Sequence, residues 1–166
     1  LLFYAGVPAT VSGLRIAQEV TNEREEWKSA DVPLNVDWLN SIEDMLNQGK
    51  TLRIQNWGEL ADQEFENSLA QQLVPEASDL VDGYHFGQVL ALADLSPKER
   101  TVCILAALMC RGHMKHLKRH VGYALTVGLS RKEICEVFAQ AGWYRGWPHV
   151  EDALEEAIEV FNERGL

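Results

Sequence analysis

The 166-residue chain has no long hydrophobic run, few basic residues and only three cysteines. No apolar segment approaches the roughly 20 residues that a membrane-spanning helix needs. The first nine residues lack the basic lead of a secretory signal peptide. An odd number of cysteines without framework spacing indicates reduced thiols, not a disulfide scaffold. We therefore expect a cytoplasmic protein that has no membrane partner.

Basic side chains are also scarce, with 15 against 25 acidic ones and a formal net charge of −10. This balance argues against a nucleic acid partner, because phosphate binding requires a basic surface. An anionic ligand would need a local basic patch. Segment 111–120 provides one, since it holds two arginines, two lysines and three histidines but no carboxylate.

Strand signals are missing, because no run alternates with period two between turn residues. Helix signals are frequent. Ser96-Pro97-Lys98-Glu99 combines an N-cap, a proline in the first turn and a glutamate that can reach back to the cap, and Ser130 to Glu133 repeats the capping pattern. The apolar run 102–110 predicts a helix that is buried on every side. We predict an all-α fold, with further helices after Asp37, over 60–73, from Glu76 to about Leu92, over 134–144 and over 149–164.

The two ends of the chain repeat each other at a constant offset of 140 residues. Ten identities without a gap, including a Tyr-x-Gly-x-Pro breaker, favour duplication over chance similarity of two amphipathic helices. Residues 1–30 are thus predicted to carry the terminal helix of a truncated upstream repeat, and residues 37–166 a complete domain. The identical positions are Tyr4, Gly6, Pro8, Leu14, Ala17, Glu19, Val20, Asn22, Glu23 and Arg24, with their counterparts from Tyr144 to Arg164.

An ordered set of short motifs resembles the carboxymuconolactone decarboxylase family over roughly residues 38–164. The resemblance implies an alkylhydroperoxidase-D-like (AhpD-like) helical bundle that assembles as a homo-oligomer, a trimer or a hexamer. It also implies a lyase that decarboxylates a carboxylated lactone without a cofactor. The motifs are Tyr84-His85-Phe86-Gly87, Leu95 to Arg100, Leu105 to Leu108, Arg119-His120, Ala124-Leu125 with Gly128, Arg131 to Ile134, and Tyr144-x-Gly146-x-Pro148.

Three histidines mark the candidate catalytic site. His113, His116 and His120 are spaced by three and four residues, so on a helix they share an arc of roughly 60° beside the apolar face. Imidazole titrates near neutrality and suits acid–base catalysis. We predict that His120, which coincides with a histidine of the family, transfers the proton and that His116 and His113 assist. The alternatives are surface positions for those two, or a metal site, which the lack of a nearby carboxylate disfavours.

A guanidinium could hold a substrate carboxylate through two parallel hydrogen bonds. The candidates are Arg100, Arg119 and Arg145, and the resemblance favours Arg100. Trp147 is predicted to contact the substrate, and its bulk favours a larger and flatter ligand than a small diacid, although helix aromatics are usually core residues. Gln88 stands where members of the family commonly carry an acidic residue, so one acid–base group of the named activity is missing.

Two other functions remain open. Thiol peroxidases of the superfamily need a Cys-x-x-Cys-x-x-x-His signature, and His113 and His116 occupy its cysteine positions here, which disfavours that chemistry. The fold could also serve as a different lyase or cyclase, or as a non-catalytic oligomeric binding module. An enclosed pocket with His120 in its wall would favour catalysis on a small molecule.

Overall fold

The computed structural model describes residues 6–22, 41–92 and 95–166, and within these ranges the regular structure is entirely helical. The all-α prediction is therefore confirmed. None of the described helices is both long and apolar enough to cross a bilayer. The elements are α1 (Val7–Asn22), α2 (Ile42–Trp57), α3 (Glu59–Glu66), α4 (Leu69–Leu73), α5 (Pro75–Val81), a π-helical segment (Asp82–Val89), α6 (Pro97–Arg111), α7 (Met114–Thr126), α8 (Arg131–Arg145) and α9 (Trp147–Glu163).

The main hydrophobic core lies among α6, α7, α8 and α9. Helices α7 and α8 each contact both α6 and α9, so the four form one bundle. Burial of this many apolar side chains supplies the main driving force for folding. The largest fully buried members of the core are Leu105, Met109, Leu117, Val121, Ile134, Phe138, Val150 and Phe161.

Helices α6 and α8 begin at the predicted capping boxes. The hydroxyl of Ser96 accepts the backbone N–H of Glu99, whose carboxylate in turn accepts the backbone N–H of Ser96. Ser130 and Glu133 form the same pair at the start of α8. Lys98 Nζ lies 2.7 Å from Glu133 Oε1 and links the two helix starts.

Several predicted boundaries differ from the structure. The helix predicted over 60–73 is divided into α3 and α4, because the Ser68 side chain caps a new helix by accepting the backbone N–H of Gln71. The helix predicted from Glu76 becomes π-helical at Asp82. The predicted cap at Asp37 lies outside the described residues.

The prediction that residues 102–110 are buried on every side is wrong. Cys103 is exposed, and Val102, Ala106 and Cys110 are only half-buried. The last three face a groove between α6 and α8 that the described residues leave open.

A second layer, formed by α2 and the π-helical segment, carries much of the candidate site. The two elements approach closely because glycine stands at the contact. A Cβ atom on Gly87 would lie 2.1 Å from the backbone oxygen of Met45, and one on Gly49 would lie 3.0 Å from the backbone oxygen of Asp82. No other residue type fits at Gly87 without moving the backbone.

Helix α1 is the segment assigned to the upstream repeat, and nearly all its side chains are exposed. It begins as α9 does: Gly6 and Gly146 both have positive φ, and a proline occupies the second helical position in each case. Glycine adopts such a φ without strain. The shared local geometry agrees with the sequence repeat, and the division into two repeats stays a prediction.

Candidate functional site

A pocket of about 290 Å³ lies between α2, α3, the π-helical segment and α7. Its volume is at the lower end of the range typical of small-molecule sites, roughly 300–1,000 Å³. The lining combines aromatic rings with three imidazoles and two guanidinium groups. The lining residues are Arg53, Trp57, Ala61, Phe65, Ser68, Val81, His85, Phe86, His116, Arg119, His120 and Tyr123.

His120 stands in the α7 wall of this pocket with one ring nitrogen fixed by the backbone. Its Nδ1 lies 2.8 Å from the carbonyl oxygen of His116. A carbonyl oxygen only accepts, so Nδ1 carries the proton and Nε2 of the neutral ring keeps its lone pair. Burial lowers the pKa of His120 to about 4, and the positive charge of Arg119 acts in the same direction. At neutral pH the ring is therefore a base, not an acid.

His85 supplies a second imidazole from the π-helical segment. Only 6% of the residue is exposed, and its ring packs 4.8 Å from that of Phe86. Burial lowers the pKa of His85 to about 4, and the charges of His120 and Arg100 contribute to the shift. Two neutral imidazoles thus line the same small pocket at physiological pH.

Aromatic rings form much of the remaining wall. Trp57 stacks on Tyr123, with ring centroids 4.9 Å apart and an interplanar angle of 12°. The ring of Phe86 meets Trp57 and Phe65 edge-on, at 5.6 Å in both cases. The buried Nε1 of Trp57 finds no hydrogen-bond acceptor within the described ranges. Aromatic rings thus form much of the apolar part of the pocket wall.

A buried ion cluster braces one side of the pocket. Arg53, only 2% exposed, places Nη2 2.6 Å and Nε 3.0 Å from Oδ1 of Asp62. The same guanidinium forms an ion pair with Asp82 and lies 3.6 Å from Glu66. It also covers the face of Phe65, 4.3 Å from the ring centroid. Arg53 therefore joins α2 to α3 and to the π-helical segment.

A second charged group lies at the rim, where α7 meets α3. Glu64 Oε2 is 3.5 Å from Nε of Arg119 and accepts a hydrogen bond of 3.2 Å from the hydroxyl of Tyr123. Sequence reasoning found no carboxylate near the basic segment 111–120. The fold brings Glu64 to it from more than 50 residues away.

The structure brings three of the seven predicted site residues to the pocket: His116, Arg119 and His120. Burial lowers the pKa of His116, which is nevertheless mostly exposed. The other four do not line the pocket.

His113 is an exposed N-cap residue, not a member of α7, and its ring centroid lies 6.3 Å from that of His116. Because His113 precedes the first turn of α7, its side chain does not line the pocket with those of His116 and His120.

Arg100, Arg145 and Trp147 are placed by other contacts. The guanidinium of Arg100 donates to the backbone oxygens of Leu92 and Leu95, and thus anchors the segment before α6. Nε of Arg145 donates to the backbone oxygen of Cys110 at 2.8 Å and closes the end of α6. Trp147 is 58% exposed, at the start of α9. None of the three lines the pocket.

Sequence reasoning missed His85 and Arg53 as site residues. His85 belongs to the motif Tyr84 to Gly87, which indicated family resemblance and was not predicted to be catalytic. Arg53 did carry a signal, because Gly49, Arg53 and Trp57 are spaced by four and are the buried residues of α2. A lone arginine in an apolar row of this kind requires buried carboxylate partners, and these come from distant segments.

In the described part of the chain, no residues are arranged for thiol catalysis or for metal binding. Cys103, Cys110 and Cys135 are unpaired, none lines the His120 pocket, and burial raises the pKa of the Cys135 thiol. No group of three His, Cys, Asp or Glu side chains within residues 6–22, 41–92 and 95–166 is arranged to hold a metal ion.

The described residues form an all-helical bundle with a histidine-lined pocket. The carboxymuconolactone decarboxylase family model matches residues 75–159, and the chain belongs to this family. The match runs from α5 into α9 and includes both His85 and His120. The chain is also similar to an uncharacterized 15.0 kDa protein in the nqo9-nqo10 intergenic region of Paracoccus denitrificans. The two are 28% identical over 102 residues, which cover 60% of this chain and 75% of that protein.

Proposed function

We propose that the protein is a cofactor-independent acid–base enzyme that acts on a small carbonyl compound in the His120 pocket. The observation that carries this proposal is the hydrogen bond from Nδ1 of His120 to the His116 carbonyl, which leaves Nε2 as a base. A half-buried base beside an aromatic wall can take a proton from a carbon next to a carbonyl group. The family name suggests decarboxylation of a carboxylated lactone as one form of this chemistry, and proton transfer within an uncharged carbonyl compound is the other.

Each residue has a distinct part in this proposal. His120 transfers the proton, because its ring is neutral and oriented. Trp57 is the candidate donor to the substrate carbonyl, because its buried N–H has no acceptor in the described part of the chain. Developing negative charge on that oxygen would strengthen such a bond in the transition state. His116 and Arg119 occupy the more exposed side of the pocket and would close it over the ligand.

The test is turnover of a panel of cyclic ketones, lactones and carboxylated lactones, with deuterium incorporation and loss of carbon dioxide both followed by NMR. His120→Gln should lower the rate by about 10²–10⁴-fold, the usual contribution of a positioned acid–base group. His113→Gln is the matched control, since His113 is exposed and lies outside the pocket, and it should change the rate less than twofold. Equal rates for wild type and His120→Gln would refute the assignment.

A further inference from the structure

We infer that the ligand of the His120 pocket is an uncharged ring compound, not a carboxylate. This inference rests on the proposed function and names the substrate class for the same site. It is based on the charged side chains in and beside the pocket, which already form ion pairs with one another.

The described cations are matched by at least as many carboxylates. Arg53 is held by two buried aspartates and cannot turn towards a ligand without depriving both of them of their main partner. Arg119 faces Glu64, and Lys50 lies 3.6 Å from Asp62. Three cations thus stand against four carboxylates. The cations are Lys50, Arg53 and Arg119, and the carboxylates are Asp62, Glu64, Glu66 and Asp82.

The imidazoles add no positive charge. Burial holds the pKa values of His85 and His120 near 4, and it also lowers the pKa of His116. A carboxylate that entered the pocket would therefore lose hydration and would have to compete with Glu64 for Arg119, which is unfavourable. Arg100, the predicted anion anchor, already donates to backbone carbonyls.

The shape of the pocket favours a flat ring. Trp57 and Tyr123 stack directly on each other, and together with Phe65 and Phe86 they form an aromatic wall beside a volume of only about 290 Å³. Aromatic walls gain from offset or edge-on contact with a planar ligand. A single six-membered ring that bears a carbonyl group satisfies both the size and the charge of the site.

The reaction that follows is a proton relocation in an unsaturated ring ketone, without loss of carbon dioxide. Nε2 of His120 would take a proton from the carbon that lies between the carbonyl group and the carbon–carbon double bond, and the C–H electron pair would pass into a dienolate. The imidazolium would return the proton to the far carbon of that dienolate, which moves the double bond into conjugation with the carbonyl group. The product is an isomer, and nothing is oxidised or reduced.

Benzamide and benzoate test the inference, because they share one shape and differ in charge. Binding can be measured by calorimetry at pH 7.5 and located through the ring proton resonances of His116 and His120. We expect benzamide to bind at least tenfold more tightly than benzoate. A preference for benzoate, or no shift of either histidine with millimolar ligand, would overturn the inference.

Two variants on α3 sharpen the test. Glu64→Gln removes the partner of Arg119, so benzoate should bind at least threefold more tightly than to wild type. Glu59→Gln makes the same charge change at an exposed position of α3 and should leave the ratio of the two affinities unchanged. Equal effects of the two variants would contradict the pairing argument.

Failure of this inference is distinguishable from failure of the proposed function. Preference for benzoate together with loss of turnover in His120→Gln would refute the substrate class alone. Preference for benzamide together with full turnover in His120→Gln would refute the catalytic role alone.

Discussion

At the residue scale, the chemistry of the pocket depends on which groups stay charged once they are buried. His85 and His120 become neutral, because burial disfavours the imidazolium form. Arg53 cannot lose its proton, so it remains charged and requires its carboxylate partners. The cost of removing a charge from water thus has two results here. The imidazoles lose their charge, whereas the guanidinium keeps its charge and is paired with carboxylates.

Replacement of Arg53 tests this view of the ion cluster. Arg53→Met would leave Asp62 and Asp82 buried without their main partner, and we expect a loss of about 3–5 kcal/mol in the free energy of unfolding. Lys50→Met is the matched control, because Lys50 approaches the same Asp62 from an exposed position, and it should cost less than about 1 kcal/mol. Urea denaturation measures both variants. A loss below 1 kcal/mol for Arg53→Met would show that the cluster is not required for stability.

At the element scale, the site depends on how closely α2 and the π-helical segment approach. The backbone of Gly87 lies against that of Met45, and this contact places His85 and Phe86 beside Trp57. The π-helical turn also changes the face that the chain presents after Asp82. A regular continuation of α5 would direct the side chains of this segment elsewhere.

Gly87→Ala tests the role of this contact. The added methyl group would overlap the backbone oxygen of Met45, so we expect a loss of several kcal/mol or failure to fold. Gly122→Ala on α7 is the control, because its Cβ would meet only ordinary contacts at 3.9 Å and beyond. Alanine there should add up to about 1 kcal/mol through helix propensity. Thermal unfolding compares the two, and unchanged stability of Gly87→Ala would contradict the packing described.

Local rules were enough to predict much of the helical bundle from the sequence. The capping boxes at Ser96 and Ser130 and the break at Gly146 act within a few residues, and the structure contains all three. The π-helical turn was missed, because it results from packing against α2 and has no local motif.

The pocket was only partly predictable for the same reason. His116, Arg119 and His120 share one helix, so their common face follows from spacing. His85 and Glu64 come from other elements, and only the tertiary fold places them there. Arg100 and Arg145 lie outside the pocket, and the sequence does not show that backbone carbonyls accept hydrogen bonds from their guanidinium groups.

At the scale of the whole molecule, large aromatic side chains remain uncovered along one side. Trp143 and Tyr144 are 84% and 85% exposed, next to the open groove between α6 and α8. Exposed apolar surface of this extent is typical of an interaction site. Acidic and basic residues both border the groove, Lys98 and Lys132 beside Glu99, Glu133 and Glu136, so two copies of the chain could form ion pairs across it.

We propose that this surface is the contact between copies of a homo-oligomer. Light scattering after size-exclusion chromatography should give the mass of three or six chains at micromolar concentration. Replacement of both Trp143 and Tyr144 by serine should reduce that mass, whereas Leu69→Ser, a change at another exposed apolar residue on α4, should not. A monomeric wild-type protein would contradict the proposal.

The most direct test of the account is an NMR titration of the His120 ring nitrogens in ¹⁵N-labelled protein. We predict a neutral ring protonated on Nδ1 at pH 7, with a pKa well below the ordinary value of about 6.5 and near 4. The charged form should therefore appear only under acidic conditions. A ring protonated on Nε2 at neutral pH, or a pKa of 6.5 or above, would contradict the assignment of His120 as the base.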